Sequence, residues 1–149
     1  MSKGFLSESE YKFILERVPI VTVEAVITRN NRRKKEFLLA KRTRIPEKGL
    51  FHVIGGRLFL GENTESAIKR VLERETSVKN FKSKFIAIDT LFAKESEAGP
   101  GFQALSCIFE VKTKDKIILN RENSEFKWLS KIDDTVAENA RRIISHVQR

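Results

Sequence analysis

The stretch Gly55-Gly56-Arg57-Leu58-Phe59-Leu60-Gly61-Glu62, continued by Arg70 and Glu75, decides how this chain is read. From Gly56 it runs Gly56-x5-Glu62-x7-Arg70-x4-Glu75: a glycine turn, a loop, then a helical segment. Ala67, Ile68, Val71 and Leu72 recur at helical spacing. They predict an amphipathic helix capped by Asn63 or Thr64 and ending near Thr76. Such an arrangement aims an arginine and a carboxylate at one place, which suits a divalent cation held against a diphosphate.

Working outward, Val18 to Ile27 is rich in β-branched residues and reads as a strand, with Glu36 to Arg42 as its hairpin partner. Asn30 to Lys35 reads as a solvated hairpin tip. Pro46 and Gly49 mark Thr43 to Gly49 as a loop, and short strands flank Gly55-Gly56. Phe85 to Phe92, Gln103 to Val111 and Glu125 to Leu129 read as further strands, with a polar loop from Ala93 to Gly101. A first helix starts from a Ser7 or Ser9 cap and runs to about Arg17, and a last one spans about Thr135 to Val147. Helices mixed among strands in this order predict an α+β chain folded as an α/β/α sandwich around a mixed β-sheet. At 149 residues the expectation is one domain over 1–149.

The net charge of +9 suits polyanionic partners, nucleotides above all. A nucleic-acid role rests on charge alone and is the weaker expectation. Cys107 is the single cysteine, so no internal disulfide forms. No apolar run approaches the roughly 18 residues that a bilayer span needs, and no secretory signal is visible, so a soluble cytoplasmic protein without membrane contact is expected.

The box from Gly56 to Val78 resembles the signature of the Nudix hydrolases, G-x5-E-x7-R-E-U-x-E-E-x-G-U, where U is aliphatic. Gly56, Glu62, Arg70, Leu72, Glu75 and Val78 match it, whereas Val71 and Arg74 replace glutamates and Ser77 replaces the late glycine. Of three helix carboxylates only Glu75 remains, which argues for a single cation rather than several. The wider run from Leu38-Leu39-Ala40-Lys41-Arg42-Thr43 through Pro46, Gly49 and Val53 to Arg57 resembles the GDP-mannose mannosyl hydrolase subgroup, whose box is thinned in the same way.

The resemblance implies a Mg2+-dependent enzyme, with one ion, that acts on a nucleotide-sugar substrate such as GDP-mannose and works as a homodimer. Water would attack the anomeric carbon of the sugar and the nucleoside diphosphate would leave. It implies that Gly55, through its carbonyl, and Glu75 hold the metal. It places Arg42, Arg57 and Arg70 at the diphosphate, where planar guanidinium groups suit phosphate oxygens. Glu62 would brace the loop by pairing with Arg70. Glu24 stands where the subgroup has a substrate-contacting aspartate, although a strand glutamate facing solvent reads equally well. Ahead of Trp128 the subgroup has Gln-His, of which the Gln binds metal and the His is the general base. Here Glu122 and Asn123 stand there. Glu122 would be the better cation ligand, but Asn123 cannot accept a proton. Either Glu122 or Glu125 serves as base, or turnover is slow or absent. His52 lies close enough to the glycine turn to reach the site, or packs in a short strand. Two rival readings remain: attack at phosphorus by a pyrophosphohydrolase, and a Nudix-fold protein that binds nucleotide without turnover.

Overall fold

The computed structural model describes residues 5–149. Helix α1 (Glu8–Leu15) opens on a capping box in which Ser7 accepts from the Glu10 amide and Glu10 reaches back to the Ser7 amide. The long strand β1 (Ile20–Asn31) turns at Arg32 and Arg33 into β2 (Lys34–Arg42). Both turn residues have positive φ, 47° and 69°, the geometry of the two-residue turns whose twist matches paired strands. Two short strands follow, β3 (Phe51–His52) and β4 (Ile54–Arg57), then helix α2 (Thr64–Thr76). Strands β5 (Phe81–Ala93), β6 (Phe102–Thr113) and β7 (Asn123–Leu129) precede the last helix, α3 (Glu138–Val147).

These strands form one sheet in the order β3-β2-β1-β6-β5, with β4 added to β1 and β7 to β2. The β1–β6 ladder is parallel and the others are antiparallel, so the sheet is mixed, as the sequence suggests. Period-two alternation in β1 sends Val23, Ala25 and Ile27 toward α2, where they pack on Ala67, Ile68, Val71 and Leu72. Val26 faces the other way, with Phe37, Leu39 and Ile108, against Ile143, Ile144 and Val147 of α3. Helices thus cover both faces of the sheet, the sandwich architecture expected.

The differences from expectation are local. Strand β5 starts at Phe81 because its ladder with β6 continues to Phe81–Thr113, beyond a bulge between Phe85 and Ala87. Exposed Lys82, Ser83 and Lys84 disguise that extension in the sequence. Helix α3 starts at Glu138 rather than Thr135, since β3 takes the preceding backbone: the Phe51 amide donates to the Thr135 carbonyl and the Ala137 amide to the Phe51 carbonyl. Strand β7 begins at Asn123, opposite Arg42, where β2 carries an irregularity. No helix among the described residues is long and apolar enough to cross a membrane.

Candidate active site

A cleft of about 290 Å3 opens on the α3 side of the sheet. Of the residues expected from the sequence, Glu24, Arg42, Gly55, Arg57, Glu75 and Glu122 all line it.

Glu75 comes from the last turn of α2. That helix starts on the Asn63 side chain, which accepts from the Ser66 amide, and ends at Ser77 in the left-handed region at φ 61°. Ser77 occupies the signature's late glycine position, and its backbone conformation shows why glycine suits it. Glu122 arrives from the segment before β7. Its carbonyl accepts from both the amide (3.1 Å) and the hydroxyl (2.9 Å) of Thr43, and its amide donates to Asn120 Oδ1 at 3.0 Å. The Asn120 amide in turn donates to the Glu75 carbonyl at 3.3 Å. Two acids distant in sequence are thereby brought face to face.

The acidic pair shows the strain of that proximity. Glu75 is 4 % exposed, and its Oε2 has no hydrogen-bond partner. Burial first, then the Glu122 carboxyl beside it, pushes the Glu75 carboxyl well above the ordinary carboxylate range. Arg74 Nη2, 3.8 Å from Glu122 Oε2, offsets part of the charge from the cleft edge. An orphaned buried oxygen beside a second carboxylate is a donor set that fits a hard cation, with Gly55 close by on the cleft wall. Among the described residues no group of three or more His, Cys, Asp or Glu side chains converges as a ready-made cage. A cation held here would lean on backbone oxygen and on substrate phosphate as well.

Glu24 points into the protein rather than to solvent. It is 7 % exposed, pairs across the ladder with Gly55, and accepts a hydrogen bond from the Thr22 hydroxyl at 3.0 Å. Thr22 is itself 2.6 Å from Ser106 Oγ. Desolvation by burial pushes the Glu24 carboxyl up to about 8, against the weaker lowering effects of Thr22 and Arg42. A Cβ on Gly55 would stand 2.1 Å from Glu24 Oε2, so only glycine lets the two strands approach with this side chain between them.

Arg42 donates from Nε to the Pro46 carbonyl at 2.8 Å, which fixes the plane of its guanidinium at the cleft. Arg70 is not brought there. It is absent from the cleft lining and makes a two-point pair with Glu62, Nε to Oε1 at 2.6 Å and Nη2 to Oε2 at 3.1 Å. It also donates to the Arg57 carbonyl at 2.8 Å and stacks 3.7 Å from the Phe59 ring. Glu62 Oε2 accepts the Phe59 amide as well, so the expected bracing of the loop is the observed arrangement. Asn123 is buried and does not line the cleft, and Glu125 is an exposed residue paired to Lys41 at 3.4 Å. His52 does line it.

Sequence reasoning missed Tyr11, Thr22, Ser106, Glu47 and Arg74, all of which face the cleft. Only Arg74 carried a signal, as the cation standing where the signature has an acid.

The NUDIX domain profile matches residues 18–146. The chain therefore belongs to the NUDIX domain family, that of the Nudix hydrolases. Solved structures agree on the fold. A MutT NUDIX hydrolase from Burkholderia pseudomallei matches with a TM-score of 0.72 at 19% identity, covering 88% of this chain and 99% of that one. The NUDIX domain of Shewanella oneidensis NrtR, solved with ADP ribose, matches with a TM-score of 0.67 at 19% identity over 96% of this chain and 97% of that one. A bifunctional NMN adenylyltransferase/ADP ribose pyrophosphatase from Francisella tularensis, solved with AMP and a Mn ion, gives 0.65 at 20% identity, covering 95% of this chain and 47% of that one.

Proposed function

We propose that this protein is a divalent-cation-dependent hydrolase of a nucleoside diphosphate sugar, with GDP-mannose the first candidate, cleaving between sugar and diphosphate. The observation that carries this reading is the opposition within one cleft of an acidic pair, Glu75 and Glu122, and the guanidinium groups of Arg42 and Arg57. Glu75, Glu122 and the Gly55 carbonyl would hold one Mg2+ ion. When bound, that ion supplies electrostatic neutralisation of the departing diphosphate. Arg42 and Arg57 hold the phosphate oxygens, and Arg70 acts through Arg57 by fixing its carbonyl and the adjoining loop. Glu24, protonated at neutral pH, donates a hydrogen bond into the cleft rather than accepting a proton.

Incubation with GDP-mannose and Mg2+, followed by phosphorus NMR, tests the reading. Mannose plus GDP supports it, while no turnover with intact nucleotide binding leaves a binding protein in its place. The competing reading, attack at phosphorus, draws on the ADP ribose and AMP complexes of the fold relatives. It predicts a sugar phosphate plus a nucleoside monophosphate.

The homodimer belongs to the same proposal. Its support is a set of exposed apolar side chains on neighbouring strands β1, β6 and β5, where Val21, Leu105, Phe85 and Ile88 are 37 %, 41 %, 52 % and 55 % exposed. A monomeric mass by light scattering at micromolar concentration would remove it.

A further inference from the structure

Asn123 stands where the resemblance puts the general base, and it is buried without lining the cleft. Within the cleft, Glu24 is buried against Gly55 and held by the Thr22 hydroxyl, and Glu122 is engaged with Glu75 and Arg74. Two further carboxylates line it: Glu97, which is exposed and paired with Arg44 at 3.7 Å, and Glu47. Glu47 sits on the loop between β2 and β3, with His52 of β3 behind it.

The two side chains form a contact of defined polarity. His52 Nδ1 is 3.1 Å from the Val53 carbonyl, which can only accept, so Nδ1 carries the ring proton. His52 is neutral at physiological pH, because burial and then the nearby Arg42 charge push it down to about 4. Its Nε2 is therefore a lone pair, and it lies 3.3 Å from Glu47 Oε2. A lone pair facing a carboxylate gains nothing. Facing a carboxylic acid, it accepts a hydrogen bond. The contact thus stabilises Glu47 after it has taken a proton, which is what strengthens a base.

The loop enforces this aim. Glu47 has a φ of 60°, a left-handed conformation that costs a residue other than glycine about 1 kcal/mol. Arg42 Nε anchors the preceding Pro46 carbonyl, and the Leu50 amide donates to the Glu47 carbonyl at 3.1 Å. The other groups acting on the Glu47 carboxyl are the Asn139 amide and Glu138 in the first turn of α3, and Arg42 from β2. Glu24 faces it from β1.

We propose that Glu47 is the general base of the reaction and that His52 is a positioning residue which accepts a hydrogen bond from the protonated carboxyl. The inference rests on the sugar-hydrolase reading given above. The water oxygen bonds to the anomeric carbon while the bond from that carbon to the diphosphate oxygen breaks. The bonding pair leaves with the nucleoside diphosphate, and the water proton passes to Glu47 Oε2.

The test uses the full chain with GDP-mannose and Mg2+. Glu47→Gln lowers kcat by about 10^2- to 10^4-fold, the range for a lost general base, while GDP binding measured by calorimetry stays within a few-fold. In Glu47→Ala, azide attacks without needing deprotonation, so added azide restores turnover and yields mannosyl azide. His52→Gln moves the acidic limb of the kcat/KM profile to lower pH. Nitrogen-15 NMR of His52 changes at Nε2 on Glu47→Gln and holds its Nδ1–H tautomer. Turnover by Glu47→Gln within about fivefold of wild type overturns the base assignment. So does a folded Glu47→Ala protein that azide does not rescue. Release of mannose phosphate and GMP by the wild-type protein overturns the sugar-hydrolase reading instead, and the two failures are told apart by product.

Discussion

Replacing Glu24 by glutamine should make the metal-free protein more stable, by an amount that grows with pH. Burial at 7 % exposure raises the folded carboxyl to about 8 from the ordinary 4.5. Between those two values the unfolded chain releases a proton that the folded chain keeps. Stability of the wild type is therefore lost as pH rises through this window and is level above it. At about 1.4 kcal/mol per pH unit, the loss by pH 7 is about 3 kcal/mol. Glutamine keeps the acceptor for the Thr22 hydroxyl and does not titrate. Any fixed cost of the swap cancels when the two proteins are compared across pH. Urea unfolding followed by circular dichroism, in chelator at pH 5, 6, 7 and 8, reads the difference directly. The gap between variant and wild type should widen in favour of Glu24→Gln by about 2.5 kcal/mol from pH 5 to pH 7. Parallel stability curves for the two proteins would refute a proton held at Glu24.

Four further outcomes follow from other contacts. Glu75→Gln or Glu122→Gln abolishes stabilisation by Mg2+ or Mn2+, which for the wild type reaches about 2.7 kcal/mol at a hundredfold excess over Kd and is read as a thermal shift. Gly55→Ala, whose Cβ would lie 2.1 Å from Glu24 Oε2 and 2.8 Å from the Val23 carbonyl, costs about 1–3 kcal/mol in denaturant melts. Arg70→Lys keeps the charge but loses the two-point contact with Glu62 and the Arg57 carbonyl. It lowers the unfolding midpoint and reduces kcat with little change in nucleotide Kd, measured by kinetics and calorimetry. Asp89→Asn removes the charge, and one of the two oxygens, on which Arg142 and His146 dock α3. Arg142 first, then His146, holds the Asp89 carboxyl far below its ordinary 3.8, so the stability it contributes is present above that value and fades as pH falls. The gap between wild type and Asp89→Asn is full at pH 6 and shrinks below about pH 4 in urea melts.

Much of the site could be read before the structure, because helix α2 advertises itself. Its apolar stripe, its Asn63 cap and the registered glycines fix where Glu75 must emerge. Glu122 is legible only through the resemblance, which puts a metal-binding Gln ahead of Trp128; the Trp128–Leu38 register then carries that lead-in past the cleft. Arg70 was misplaced for a simple helical reason: it stands five positions before Glu75, and five steps turn a helix by about 140°. The two cannot share a face, and Arg70 turns to the loop instead. Glu47 was invisible because its direction depends on the sign of one backbone dihedral, which no pattern of residue types reports. His52 was undecided because a strand of two residues has no alternation to read. The start of α3 was mistaken because β3, an element later in space but earlier in chain, captures the backbone of Thr135 to Ala137.

Thr43 has a consequence out of proportion to its size. By giving both its amide and its hydroxyl to the carbonyl of Glu122, it fastens the residue next to Arg42 onto the residue that completes the acidic pair. The cationic and anionic sides of the cleft are therefore one mechanical body rather than two jaws. The backbones that carry the Arg42 guanidinium and the Glu122 carboxylate share one fixed spacing across the cleft.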